Sequence, residues 1–193
     1  MNMHSGLRIR LRRLRRDESG ATALEMAVVG PAFIMMMMGA VEMGMLYAAE
    51  SVLEHSTYVA TRLGRTGFVE DESTRDETVK DMLRQKASVL LDPAKLNISS
   101  KAYQNFDDIG DPEPFVDANG NGVRDDGENY TDINGNGQWD ADKGVAGYGA
   151  SREIVVYTVT YPWTFFTPVI GSIFAENGTI TLSARAIVQN EPF

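Results

Sequence analysis

Two consecutive stretches of 15 residues place oxygen donors at the spacing that wraps a hard cation: Glu113 to Gly127, then Glu128 to Asp142. Each contains the order Asp-x-Asn-x-Asn-Gly-x-x-Asp, as Asp117, Asn119, Asn121, Gly122 and Asp125, and again as Asp132, Asn134, Asn136, Gly137 and Asp140. Such a loop offers side-chain oxygens at positions 1, 3 and 5, a backbone carbonyl at 7, a contact often made through water at 9 and a bidentate acid at 12, with glycine at 6 making the sharp turn. Val123 and Gln138 hold position 7, and Glu128 holds position 12 of the first loop. In the second loop position 12 is Lys143, so either Asp142 substitutes or that site is weaker. Calcium is the expected cation, one ion or two, in the weak extracellular range near 10⁻⁴ to 10⁻³ M. Eleven acids and one base, Arg124, lie between Asp107 and Asp142, and so many like charges repel unless something neutralises them. A turn-rich acidic loop that binds nothing has the same composition.

A second chemistry lies near the start. Six arginines between Arg8 and Arg16 precede Gly20, and an apolar run from Met26 to Val41 follows with Glu25 at its edge. That run gives roughly 24 Å of helix, and continuation through Ala49 makes it long enough to span a bilayer. The arginines orient such a span with its N-terminus cytoplasmic and the remainder exported. A carboxylate in a membrane segment costs about 2.5–3.5 kcal/mol at the centre and less near an interface, so it usually has a partner or a task. Glu42 can snorkel to the far interface, but Glu25 is harder to dismiss.

The elements that must position these groups follow from periodicity. Beyond Ala49 a helical stripe continues through Val52, Val59 and Leu63, helped by Leu53 and Ser56, until Gly64 and Gly67 stop it. A second helix is expected over Ser73 to Leu91, capped by Ser73 or Thr74 and ended by Asp92-Pro93. Strands are expected near 95–103, 153–161 and 178–188, making an antiparallel sheet of about three strands with the upper stem helix covering one face. The fold class is therefore α+β: a long membrane-spanning helix continuing as a stem, a second helix, a small sheet and an inserted calcium-loop lobe. The divisions are a basic leader over 1–20, the spanning and stem helix over 21–64, and an exported domain over 65–193 that includes the acidic repeat at 107–144. Phe165 to Phe174 form an apolar connection that suits the underside of the sheet, the membrane surface or another subunit.

Composition excludes several classes. The net charge of −9 falls to −13 once the +4 of the first twenty residues is removed, which argues against nucleic acid as a partner. There are no cysteines, hence no disulfides and no thiolate metal sites. An enzyme is not expected: no nucleophile–base pair is visible, and His55 lies on a helix with no evident acid–base partner. Met35 to Met38 cover every face of a helix and suit packing against lipid or neighbours better than metal binding.

Gly20, Ala21 and Glu25 resemble the processing site of type IV prepilins and pseudopilins. The resemblance implies that a prepilin peptidase cuts after Gly20 and that Glu25, fifth from the new N-terminus, pairs with the terminal amine of a neighbouring subunit. Flanking proline and glycine make the acidic repeats similar to the shorter calcium loops of exported modules. The whole layout, from Gly20-Ala21-Thr22-Ala23-Leu24-Glu25 to the closing Arg185-Ala186-Ile187-Val188-Gln189-Asn190-Glu191-Pro192-Phe193, resembles the TadE-like family of tight-adherence (Tad) pilus assembly proteins. That implies a minor pseudopilin of the bacterial inner membrane, with other pilin or pseudopilin subunits, the Tad assembly machinery and the bilayer as partners. Related major pilins carry tyrosine after the glutamate where Met26 stands. The other class of protein that fits is an uncleaved, single-span anchored protein for calcium-dependent binding or adhesion.

Overall fold

The computed structural model describes residues 19–65 and 74–192. The arginines of the basic leader, the link over 66–73 and Phe193 lie outside the described residues. The chain divides into two compact units, Met1–Gly44 and Met45–Phe193.

Helix α1, Ser19–Arg65, is one run of 47 residues with Pro31 inside it, about 70 Å long at 1.5 Å per residue. By length and composition it can cross a membrane. Its first part is exposed all round: Leu24, Met26, Val28, Phe33, Ile34 and Met35 to Met38 all face outward.

The remaining elements belong to the second unit. Helix α2, Arg75–Ala87, starts with Thr74 and Glu77 in a reciprocal capping box, so the cap is Thr74, one of the two residues expected, and the helix ends short of Leu91. A 3₁₀ turn at Pro93–Lys95 leads into β1, Asn97–Tyr103; β2 is only Val145–Ala146, β3 is Ile154–Thr164, helix α3 is Pro168–Phe174 and β4 is Thr179–Gln189. The sheet is antiparallel in the order β2-β1-β3-β4, four strands rather than three.

Alternation along β3 separates the two faces. Val155, Tyr157, Val159, Tyr161 and Trp163 are buried on one side. The other face carries Ser99, Thr158, Thr160, Thr181 and Ser183 at exposed or half-exposed positions. The stem covers the apolar face with Leu53 and otherwise with small residues. Ala49, Leu53, Ser56, Thr57, Ala60 and Thr61 are buried, whereas Val52, Val59 and Leu63 lie half-buried on the flank. The hydroxyls donate back to their own helix, Ser56 to Val52 O at 2.6 Å and Thr57 to Leu53 O at 2.7 Å, so they enter the core without an unmet polar group. Gly64 marks the closest approach: a Cβ there would meet Tyr157 Oη at 2.5 Å and Val79 Cγ2 at 3.1 Å. Arg75 then pins the corner, its guanidinium donating to Gly64 O and, at 2.6 Å, to Asn190 Oδ1.

Candidate functional site: the acidic insert and the start of the stem

The acidic insert leaves the sheet after β1 and returns through β2. Its two copies fold alike. Asp117 accepts from the amides of Gly120 at 2.7 Å, Gly122 at 2.8 Å and Asn121 at 3.2 Å; Asp132 accepts from Gly135 at 2.6 Å and Gly137 at 2.8 Å. Asn119 and Asn121 aim their side-chain amides at one Asp125 oxygen, 2.7 and 2.8 Å away, and Asn134 and Asn136 do the same to Asp140 at 2.5 and 2.6 Å. The Asn121 and Asn136 oxygens accept from Val123 N and Gln138 N. Gly120, Gly122, Gly135 and Gly137 adopt positive φ, the conformation glycine supplies without a Cβ penalty.

The closing acids differ from expectation in the second loop. Glu128 closes the first: its two oxygens accept from Ala118 N at 2.9 Å and Asp125 N at 3.0 Å. The matching groups of the second loop, Ile133 N at 2.7 Å and Asp140 N at 3.1 Å, donate to Glu113, fifteen residues before Glu128 and ahead of the first loop. Asn134 N also reaches Glu113, at 3.3 Å. Glu113 is fully buried. Asp142 lines a shallow cavity of about 380 Å³ with Asn134, Asn136 and Asp140. Its oxygens, however, accept from Lys101 Nζ at 2.9 Å, Tyr103 Oη at 2.8 Å and Gly144 N at 3.1 Å. Lys143 turns away to Asp108 at 2.7 Å and Asp111 at 3.7 Å. Among the described residues no three His, Cys, Asp or Glu side chains converge on a common point.

The copies are joined by a short antiparallel bridge between Phe115 and Tyr130, with Val116 N donating to Asn129 O and Thr131 N to Pro114 O, both at 2.8 Å. Arg124 lies over Tyr130 at 4.9 Å and Trp139 at 5.8 Å, and Phe115 meets Trp139 edge-on at 6.0 Å. Arg124 and Trp139 hold the same repeat position, and each donates to the carbonyl of a closing glutamate: Arg124 to Glu128 O, Trp139 to Glu113 O.

Hydrogen bonding sets the ionisation of the insert. The Gly122 amide, then those of Gly120 and Asn121, hold the Asp117 carboxyl below the usual carboxylate range. The Lys143 bond lowers Asp108, and Asp108 in turn raises Lys143. Burial works against charge at Asp142, but the bonds from Lys101, Gly144 and Tyr103 outweigh it and its carboxyl is lowered. Burial first, then the Asp142 bond, push the Tyr103 phenol up to about 12.

At the other end of the chain, Gly20, Ala21 and Glu25 all lie on exposed turns of α1. Glu25 stands among exposed Leu24, Met26, Val28 and Val29, a carboxylate on an apolar surface. Glu42 is instead buried and partnered, so it does not reach outward. A family model described as TadE-like protein matches residues 20–62. Over these residues the stem is similar to that family. The match suggests involvement in Tad pilus assembly, and with the apolar helix it points to a membrane-anchored protein. The TadE-like segment takes in Gly20, Ala21 and Glu25 and ends three residues before the helix does. No curated protein and no solved structure matches the chain.

Sequence reasoning missed Glu113. Its signal was the period itself, because a fifteen-residue repeat that ends one loop on Glu128 places an equivalent acid at 113.

Proposed function

We propose that this chain is a minor pseudopilin acting in assembly of a Tad-type pilus, cut between Gly20 and Ala21 by a prepilin peptidase. One observation carries the reading: the TadE-like match begins at residue 20, and five residues on, Glu25 is an exposed carboxylate on a spanning helix. In the cut chain the Ala21 amine and the Glu25 carboxylate of a neighbouring subunit are each costly in lipid. Together they cost less, so the pair sets the register of assembly. The domain beyond the stem is exported, and the arginines stay cytoplasmic. No catalysis is assigned to it.

Calcium stabilises the acidic insert in this reading. Asp117, Asn119, Asn121, the Val123 carbonyl, Asp125 and Glu128 would hold one ion; Asp132, Asn134, Asn136, the Gln138 carbonyl, Asp140 and Glu113 would hold a second. What supports it is the donor chemistry, all hard oxygen, together with a set of carboxylates that only amide N–H groups and scattered cations now offset.

The deciding experiment is the intact mass or N-terminal sequence of the protein from cells carrying its own peptidase. A start at Ala21 is expected, with Glu25→Ala then losing assembly. A start at Met1 or Asn2, with Glu25→Ala assembling normally, would favour an anchored calcium-dependent binding protein. Calcium is expected to protect the chain between Asp107 and Gly144 from protease, and equal digestion in chelator would count against the ion.

A further inference from the structure

Two apolar clusters stand exposed at one end of the sheet-bearing unit. Phe166, Val169, Ile173 and Phe174, on and beside α3, are 52–67% exposed. Val169 and Ile173 lie one turn apart, while Ile170 and Gly171 on the opposite side are buried. Phe174 stacks on buried Phe165 at 6.0 Å and Phe166 meets buried Trp163 edge-on at 5.9 Å, so the cluster is held firmly by the core. The second cluster is Val89 and Leu90 after α2, with exposed Lys86 and Lys95 near it. Both belong to the same end, because Asp92 N donates to Tyr161 Oη at 3.3 Å, three residues before β3 finishes at Thr164.

Within this unit the stem runs from Met45 to Arg65. The finish of α1 is tied to the opposite end of the sheet: Glu191 N donates to Arg65 O at 3.0 Å, and Asn190 N to Glu153 O at 2.9 Å, just before β3. From this corner β3 extends about 36 Å, and the buried stripe of the stem from Gly64 back to Leu46 covers about 27 Å. The far end of β3, with α3, therefore lies at least as far from this corner as Leu46 and Ala49, where the apolar run Met26–Ala49 ends. Charge is segregated along the same direction. Thr164 to Ala175 contain no charged residue, whereas the acidic insert leaves from the other end, beyond the Tyr103–Ile154 pair.

We propose that this end of the domain rests on the bilayer surface, with Phe166, Val169, Ile173 and Phe174 inserted at the boundary of headgroups and acyl chains and Lys86 and Lys95 facing the headgroups. Aromatic and aliphatic side chains flanked by lysine are what an interfacial segment uses. An exposed apolar patch of this kind is covered in the working protein, and lipid is what the adjoining span brings to it. The proposal rests on the reading that α1 spans a membrane.

Because the chain lacks cysteine, single substitutions give clean labelling sites. The full chain is placed at one copy per lipid nanodisc, carrying a fluorophore at Ile173→Cys, Met36→Cys or Asp126→Cys, with nitroxide lipids as quenchers. The label at Ile173→Cys should lose emission to headgroup-level nitroxide and shift to the blue, the label at Met36→Cys should respond to mid-bilayer nitroxide, and the one at Asp126→Cys to neither. Quenching at Met36→Cys with a water-exposed label at Ile173→Cys overturns the proposal while leaving the span intact. No quenching at Met36→Cys removes the span and the proposal together. Protection at Ile173→Cys only when many copies share a vesicle assigns the patch to a second subunit and overturns the lipid reading.

Discussion

Replacing Glu113 by alanine removes one side chain that three backbone amides depend on. Ile133 N and Asp140 N donate to it at 2.7 and 3.1 Å, Asn134 N at 3.3 Å, and the site has no solvent access to replace them. Hydrogen bonds to a charged group contribute about 1.5–3 kcal/mol each, and buried donors left unmet cost about 1–3 kcal/mol. The longest bond is weak and the three are not additive, so a loss of about 3–5 kcal/mol in the local stability of the insert is the working figure. At about 1.4 kcal/mol per tenfold, amide exchange in the insert should quicken by roughly a hundred- to a few thousand-fold. Hydrogen exchange read at Val116 and Thr131 reports the joint between the copies without touching the altered carboxylate, while Val159 in β3 reports the sheet. The joint should open and the sheet should hold. Glu128→Ala is the comparison, since Glu128 is partly exposed and accepts only two amides; it should cost about 1–2 kcal/mol. Unchanged exchange at Val116 and Thr131 in Glu113→Ala, or a larger effect from Glu128→Ala, would refute the assignment of Glu113 as the closing acid.

Gly64→Ala gains helix propensity of about 1 kcal/mol yet should lose about 1–3 kcal/mol overall in denaturant unfolding, because the new methyl meets the fully buried Tyr157 ring; Tyr157→Phe in the same chain should recover part of it. Alkaline stability should decline between the ordinary phenol pKa near 10 and about 12: there the unfolded chain ionises Tyr103 and the folded chain does not, so the contribution present below pH 10 is lost as pH rises, and Tyr103→Phe should abolish that decline. At the acid end Asp117, Asp108 and Asp142 are all lowered, so their stabilisation is present above the normal carboxylate range and lost as pH falls below about 4. Exchange at Gly120 and Gly122 should then quicken before that of β3, and simultaneous loss would count against a separately melting insert.

Periodicity carried the long elements because burial enforces it. The stem, a helix cap at Thr74 as one of two candidates, and a strand over 153–161 were legible in residue order. The end of β3 was not. Pro162 argues for a stop, yet the strand runs on to Thr164 because β1 pairs only as far as Thr160, and beyond it β3 is open on that side. Of the stem's expected stripe, Leu53 and Ser56 are buried, whereas Val52, Val59 and Leu63 are only half-buried, since close approach near Gly64 favours Ala, Ser and Thr there. β2 carries two residues and no pattern that length could support. In the insert the ligand-type spacing was visible, but proximity in sequence pointed to Asp142, which Lys101 and Tyr103 hold instead.

The exchange of closing glutamates makes the duplication a finished object. One copy alone lacks an acid for its loop, because the second loop borrows Glu113 from in front of the first. Solenoid repeats stack without limit and need end caps. Here two copies satisfy each other as the halves of a closed dimer do, and a third could enter only by breaking that exchange. The insert should therefore tolerate substitution on its rim and growth at its base, while resisting any change in the number of its repeats.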